Sequence, residues 1–114
     1  MPTDIKIYKD LLGLLLGPIR ARPGMYLKKP EISKLQTYII GYDMGFRMTG
    51  KDPIKEDRYF NPGFIQWFYK KYEIRDTSFW ETPFLEQAKD DERKALELFF
   101  QYLEEYSKSL TEKR

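Results

Sequence analysis

A chain of 114 residues with 41% hydrophobic and 17% aromatic content carries enough apolar side chain to build one core, which excludes a disordered chain for most of its length. It has no histidine and no cysteine, so the usual general base near neutral pH, thiol nucleophiles, disulfides and the common zinc ligands are all absent. The formal charge of +2 hides a gradient, with seven basic against three acidic residues over 1–34 and six against ten over 76–114.

From Asp4 to Leu16, apolar residues at Ile5, Tyr8, Leu11, Leu12, Leu15 and Leu16 recur at helical spacing, and Gly17-Pro18 is expected to stop the helix. The run Leu11 to Leu16 is interrupted by Gly13 and falls far short of the roughly 20 residues that span a bilayer. No small-residue cleavage site follows LLGLLLG, so a cytoplasmic location is expected.

The segment IRARPGMYL, Ile19 to Leu27, comes next. Arg22 precedes a proline and is biased to extended backbone, and Pro23-Gly24 suit the centre of a type II turn with a positive φ at Gly24. A sharp reversal between the first two helices is the expectation, with Met25, Tyr26 and Leu27 dropping between them.

The second helix carries Ile32, Leu35, Ile39, Tyr42 and Phe46 at alternating steps of three and four, with Ile40 widening the stripe, and ends at Gly50 before Pro53. KDPIKEDRYF, residues 51–60, is charged and reads as a surface loop. NPGFIQWFYKKY begins a third helix with Asn61 as cap and Pro62 at its first position. TSFWETPFLEQA offers two starts for a short fourth helix, Ser78 with Glu81 as a capping box or Thr82 with Pro83. The last helix opens on Asp90, Asp91 and Glu92, favourable at a positive helix end, and carries Leu96, Phe99, Leu103, Tyr106 and Leu110 as its seam.

Nothing alternates with period two for long, so the expected fold is all-α, one domain over 1–114, a compact bundle of four to five helices with a Pro-Gly turn between the first two. Its core is expected at Leu12, Leu35, Ile39, Phe68, Phe99 and Leu103.

The run RPGMYL is similar to the RPGMYIG run near the start of the ATPase domain of type II topoisomerase B subunits. The helix that follows here, SKLQTYIIGYDMGF, has neither the glutamate nor the asparagine of that domain, and no DxGxG or glycine-rich lid lies downstream, so no catalytic residue carries over. The order IRARPGMYL, YIIGY, NPGFIQWFYKKY, FW and DDERKALELFFQYLEEY resembles small bacterial cytosolic proteins, some of which look like immunity proteins of polymorphic or contact-dependent toxin systems. In that pattern a glycine commonly follows RPGMYL, where this chain has Lys28.

The resemblance implies a non-catalytic protein that binds a cognate toxin domain, with no cofactor or metal. An interface of that kind uses a few aromatic or arginine anchors within a polar rim. The candidates are Arg58, Tyr59, Phe60, Trp67, Tyr69 and Trp80. Trp67 and Tyr69 fall off the Phe64, Phe68, Tyr72 stripe, which favours them over their neighbours. The acidic set Asp90, Asp91, Glu92, Glu97, Glu104 and Glu105 can imitate nucleic acid in a nuclease cleft. A small nucleic-acid-binding protein is the rival reading, from Arg20, Arg22, Lys28, Lys29 and Lys34 near Tyr26 and from Lys70, Lys71 and Arg75.

Overall fold

Proline inside a helix removes an N–H and pushes its ring against the carbonyl four residues back, and this chain resolves that conflict twice by widening the turn. The computed structural model describes residues 11–51, 59–75 and 79–112, and every regular element among them is helical. Helix α1 starts as an α-turn, Leu11–Leu14, and continues as a π turn, Leu15–Ile19, that contains Gly17 and Pro18. The backbone N–H of Arg20 donates to the Leu15 carbonyl five residues back, so the chain passes the Gly-Pro pair instead of stopping there. Asp4 to Asp10 lie outside the described residues.

The Pro-Gly turn takes another form than expected. Pro23 and Gly24 begin a short helix, α2, Pro23–Leu27, with Arg22 as its N-cap and the proline at the entry, where its missing N–H costs nothing. Gly50 is the glycine with a positive φ, at 80°, and Gly24 is helical. The reversal falls at Lys28, whose φ of 68° and ψ of −48° place it at the centre of a γ-turn closed by the Lys29 N–H on the Leu27 carbonyl at 2.7 Å. That is the strained form of γ-turn, and a side chain pays for it where glycine would not.

Helix α3, Ile32–Met48, follows. Its N-terminus is satisfied from outside, since the Glu92 carboxylate accepts the Ser33 N–H at 2.9 Å. Thr49 and Gly50 then close it, with Gly50 in the left-handed conformation expected of a C-terminal glycine. The next helix begins earlier than Asn61, because Tyr59–Phe64 form a second π turn around Pro62 that leads into Ile65–Lys71; together they are α4. Helix α5, Thr82–Gln87, starts close to the Thr82-Pro83 alternative but one residue earlier, with Glu81 as its N-cap and Thr82 and Pro83 as its first two residues. Helix α6, Glu92–Glu112, is capped by Asp91, whose Oδ1 accepts the N–H groups of Arg93 and Lys94 at 3.1 Å each. The described residues thus hold six helices, the extra one being α2.

The core is arranged along α6, which buries Ala95, Leu96, Phe99, Phe100, Leu103 and Tyr106. From α1 come Leu11, Leu15 and Ile19, and Leu12 is only half-buried. Steps of four through the wide turn put those three residues on one line, so the core face lies beside the one that ordinary helical spacing suggests. Helix α3 adds Ile32, Leu35 and Ile39. Phe64, Phe68 and Phe84 form a layer of near-parallel rings, with Phe68 and Phe84 4.7 Å apart at 18°, and Phe99 meets Phe84 edge-on at 5.5 Å. Offset stacks and edge contacts of this kind each add about 0.5–1.5 kcal/mol beyond area burial.

Candidate partner-binding site

Arg58 lies outside the described residues, and Tyr59 is placed by its backbone in the second π turn. Phe60 is a core residue, 2% exposed, stacked on Phe64 and edge-on to Trp80 and Phe99. It offers no surface to a partner, because the π turn makes it helical and aims it inward, whereas a loop would have left it free. Trp80 is half-buried against Phe60, Phe84 and Phe99. Tyr69 is half-buried beside Phe68.

Trp67 sits at the edge of the core, stacked on Phe64 and tilted against Tyr106, and its outer side belongs to a surface cluster. The Lys71 ammonium lies 5.1 Å from the Trp67 ring centre and 5.7 Å from that of Tyr72. Its Nζ donates to Glu105 at 2.7 Å. The Tyr72 hydroxyl donates to the same carboxylate, 2.5 Å from Oε1 and 2.8 Å from Oε2. One carboxylate on α6 therefore fixes a cation and a phenol from α4, and the cation lies over an indole. The bond from Lys71, then that from Tyr72, holds the Glu105 carboxyl below its ordinary range. The same bond, helped by burial, pushes the Tyr72 hydroxyl up to about 12. Tyr72 was read as a stripe residue, and only the α4–α6 packing shows that its hydroxyl turns to Glu105.

Most of the acidic set is held within the fold. Asp91 caps α6, Glu92 caps α3, Glu104 pairs with Arg20 at 3.3 Å and Glu105 holds Lys71, which leaves little of it to imitate a nucleic acid. The basic set is partly gathered: Tyr26, Lys28 and Lys34 line one hollow with Thr37 and Tyr38. Arg20 lines another, a groove of about 600 Å³ with Pro23, Gly24 and Pro30 on one side and Arg93, Leu96 and Phe100 on the other.

Glu81 is the buried carboxyl of the molecule's described part. Its Oε2 has no hydrogen-bond partner, and burial, with Glu92 nearby, raises its pKa above the ordinary value. Among the described residues no group of three or more Asp or Glu is arranged to hold a metal ion, and no helix is long and apolar enough to cross a membrane. Comparison of the chain with protein-family models, curated proteins and solved structures finds no match.

Proposed function

We propose that this chain is a non-catalytic protein-binding module, a cytoplasmic immunity protein that neutralises a toxin domain by covering it. The observation that supports this reading is the Trp67, Lys71, Tyr72 and Glu105 cluster. Trp67 and Tyr72 are of the types that dominate binding energy at interfaces, and Lys71 and Glu105 already hold them in place. A surface ordered before contact loses less freedom on binding, so its contacts are worth more. The resemblance of the chain's motif order to immunity proteins supplies the class of partner.

Co-expression with the toxin domain encoded beside it is the test. The two should elute as one complex, and Lys71→Glu with Tyr72→Ala should abolish both complex and protection while the helical signal stays intact. Independent elution of the two proteins would dispose of the reading.

A second reading has one observation behind it, the gathering of Tyr26, Lys28 and Lys34 around a hollow, which suits a stacked base and its phosphates. It requires binding of a single-stranded oligonucleotide that weakens steeply with salt.

A further inference from the structure

Beyond that reading, and on a different face, we infer that the chain forms a two-fold symmetric dimer through the outer side of α3. Exposure along this helix is uneven in a telling way. Ile40, Met44 and Met48 are 54%, 51% and 83% exposed, and Met25 and Tyr26, which line a hollow with Thr37 and Tyr38 in the first half of the helix, are 70% and 41% exposed. Thr37, Gly41, Met44 and Met48 step by four, three and four, the spacing of a coiled-coil seam, and all four are exposed. A side chain at Gly41 would meet nothing in its own chain.

The seam is self-complementary only when read against itself in the opposite direction. An antiparallel copy centred between Tyr42 and Asp43 sets Met44 over the partner's Gly41 and Met48 over the partner's Thr37, so each layer holds one methionine and one small residue. Met48 then arrives at the hollow that Met25, Tyr26, Thr37 and Tyr38 line in the other copy. The plug and the hollow are eleven residues apart on one helix, about 16 Å, and a two-fold axis fills both hollows at once.

The area is sufficient. The exposed fractions of Met25, Tyr26, Ile40, Met44 and Met48 amount to about three whole large side chains. At roughly 200 Å² each that is about 600 Å² per protomer and about 1,200 Å² for the pair, the lower edge of specific interfaces. Charge works against the pair, since the same register sets Lys34 over the partner's Lys51, and Arg47 adds a further cation beside the seam. Salt should therefore strengthen it, whereas contact with a nucleic acid or an acidic protein would weaken.

Sedimentation equilibrium of the full chain over a wide concentration range tests this. A monomer–dimer equilibrium of about micromolar strength that tightens with added salt is expected. Gly41→Leu separates a packed seam from general stickiness. It adds apolar surface and a better helix former, yet it removes the room that Met44 needs, so it should weaken the dimer at least tenfold while leaving the helical signal unchanged. The double variant Thr37→Cys, Met48→Cys should oxidise to a covalent dimer, as the antiparallel register requires. A chain that stays monomeric at all concentrations, or a dimer that Gly41→Leu strengthens, overturns the inference. So does a monomer that sediments with phosphatidylglycerol vesicles, which would assign the stripe to a lipid surface.

Discussion

Helices α3 and α6 are the two long elements of the molecule, and they use apolar residues in opposite ways. On α6 the large apolar residues point one way and are buried along most of the helix, from Ala95 to Tyr106. On α3 the buried residues stop at Ile39, and the second half carries Ile40, Met44 and Met48 into solvent. Packing explains the difference: α6 meets α1, α3, α4 and α5 along its length, whereas α3 is tied to α6 near its start, through Ser33 and Glu92. A hydrophobic stripe is therefore evidence of a partner, and only the surrounding elements say whether that partner is in the same chain.

Substitutions can break this contrast or sharpen it. Phe99→Ala on α6 should cost about 3–5 kcal/mol in urea unfolding, because the ring is fully buried among Phe60, Phe64 and Phe84. Leu35→Ala in the buried half of α3 should cost about 2–5 kcal/mol, and Met48→Ser in its bare half should change monomer stability by less than about 0.5 kcal/mol. Equal losses at Leu35 and Met48 in dilute, monomeric protein would erase the distinction.

The approaches to the two helices should respond in different ways. Just before α3, Lys28→Gly should stabilise by about 1 kcal/mol, as glycine accepts the positive φ that lysine resists. At the entry to α5, and within the influence of Glu92 at the start of α6, Glu81 has a pKa raised by burial, so the fold favours its protonated form. Its favourable contribution is complete below the unfolded value and is lost as pH rises through the folded one. Glu81→Gln should then raise the melting temperature at pH 7, and its advantage should close as the medium is acidified past the ordinary carboxyl value of 4.5. An advantage that is constant with pH would mean that the charge is not its cause.

A small effect is also expected at the exposed bridge. The lowered pKa of Glu105 gives stability that is present above the ordinary carboxyl range and fades as pH falls through the lowered value. Glu105→Gln should cost under about 1 kcal/mol at neutral pH and nothing in strong acid, the screened value of a pair half open to water. Spectroscopic titration should show Tyr72 ionising near 12, and lower in that variant, yet still above its ordinary value because burial and the nearby Tyr102 remain.

Much of the helical order was legible in sequence because it rests on local chemistry. Asp91 before an apolar seam, Gly50 after one and Pro83 next to a helix start each act within a turn of their own position. The seam of α6 could be read residue by residue for the same reason. The two π turns could not, since Gly17-Pro18 and Pro62-Gly63 are ordinary helix breakers, and whether a helix widens or ends there depends on what holds both flanks. That single ambiguity displaced Leu12 by Leu11 in the core and put Phe60 inside. The surface cluster was half legible: Trp67 stood out by falling off the stripe, but Lys71, Tyr72 and Glu105 meet across 33 and 34 positions of chain, beyond any local pattern.

The π turn of α1 also makes chain length part of the folding code. A turn closed five residues back is an α-turn with one residue inserted, so Leu15–Ile19 carries a surplus residue that ordinary winding would not hold. Deleting Gly17 would remove that surplus, and ordinary winding would keep Leu11, Leu15 and Ile19 near one line, since Leu11 and Ile19 would then stand about two turns apart. It would also press the Pro18 ring back against the carbonyl four residues before it, the conflict that the wide turn relieves. The surplus residue along this segment therefore serves the proline, and the facing of Leu11 does not depend on it.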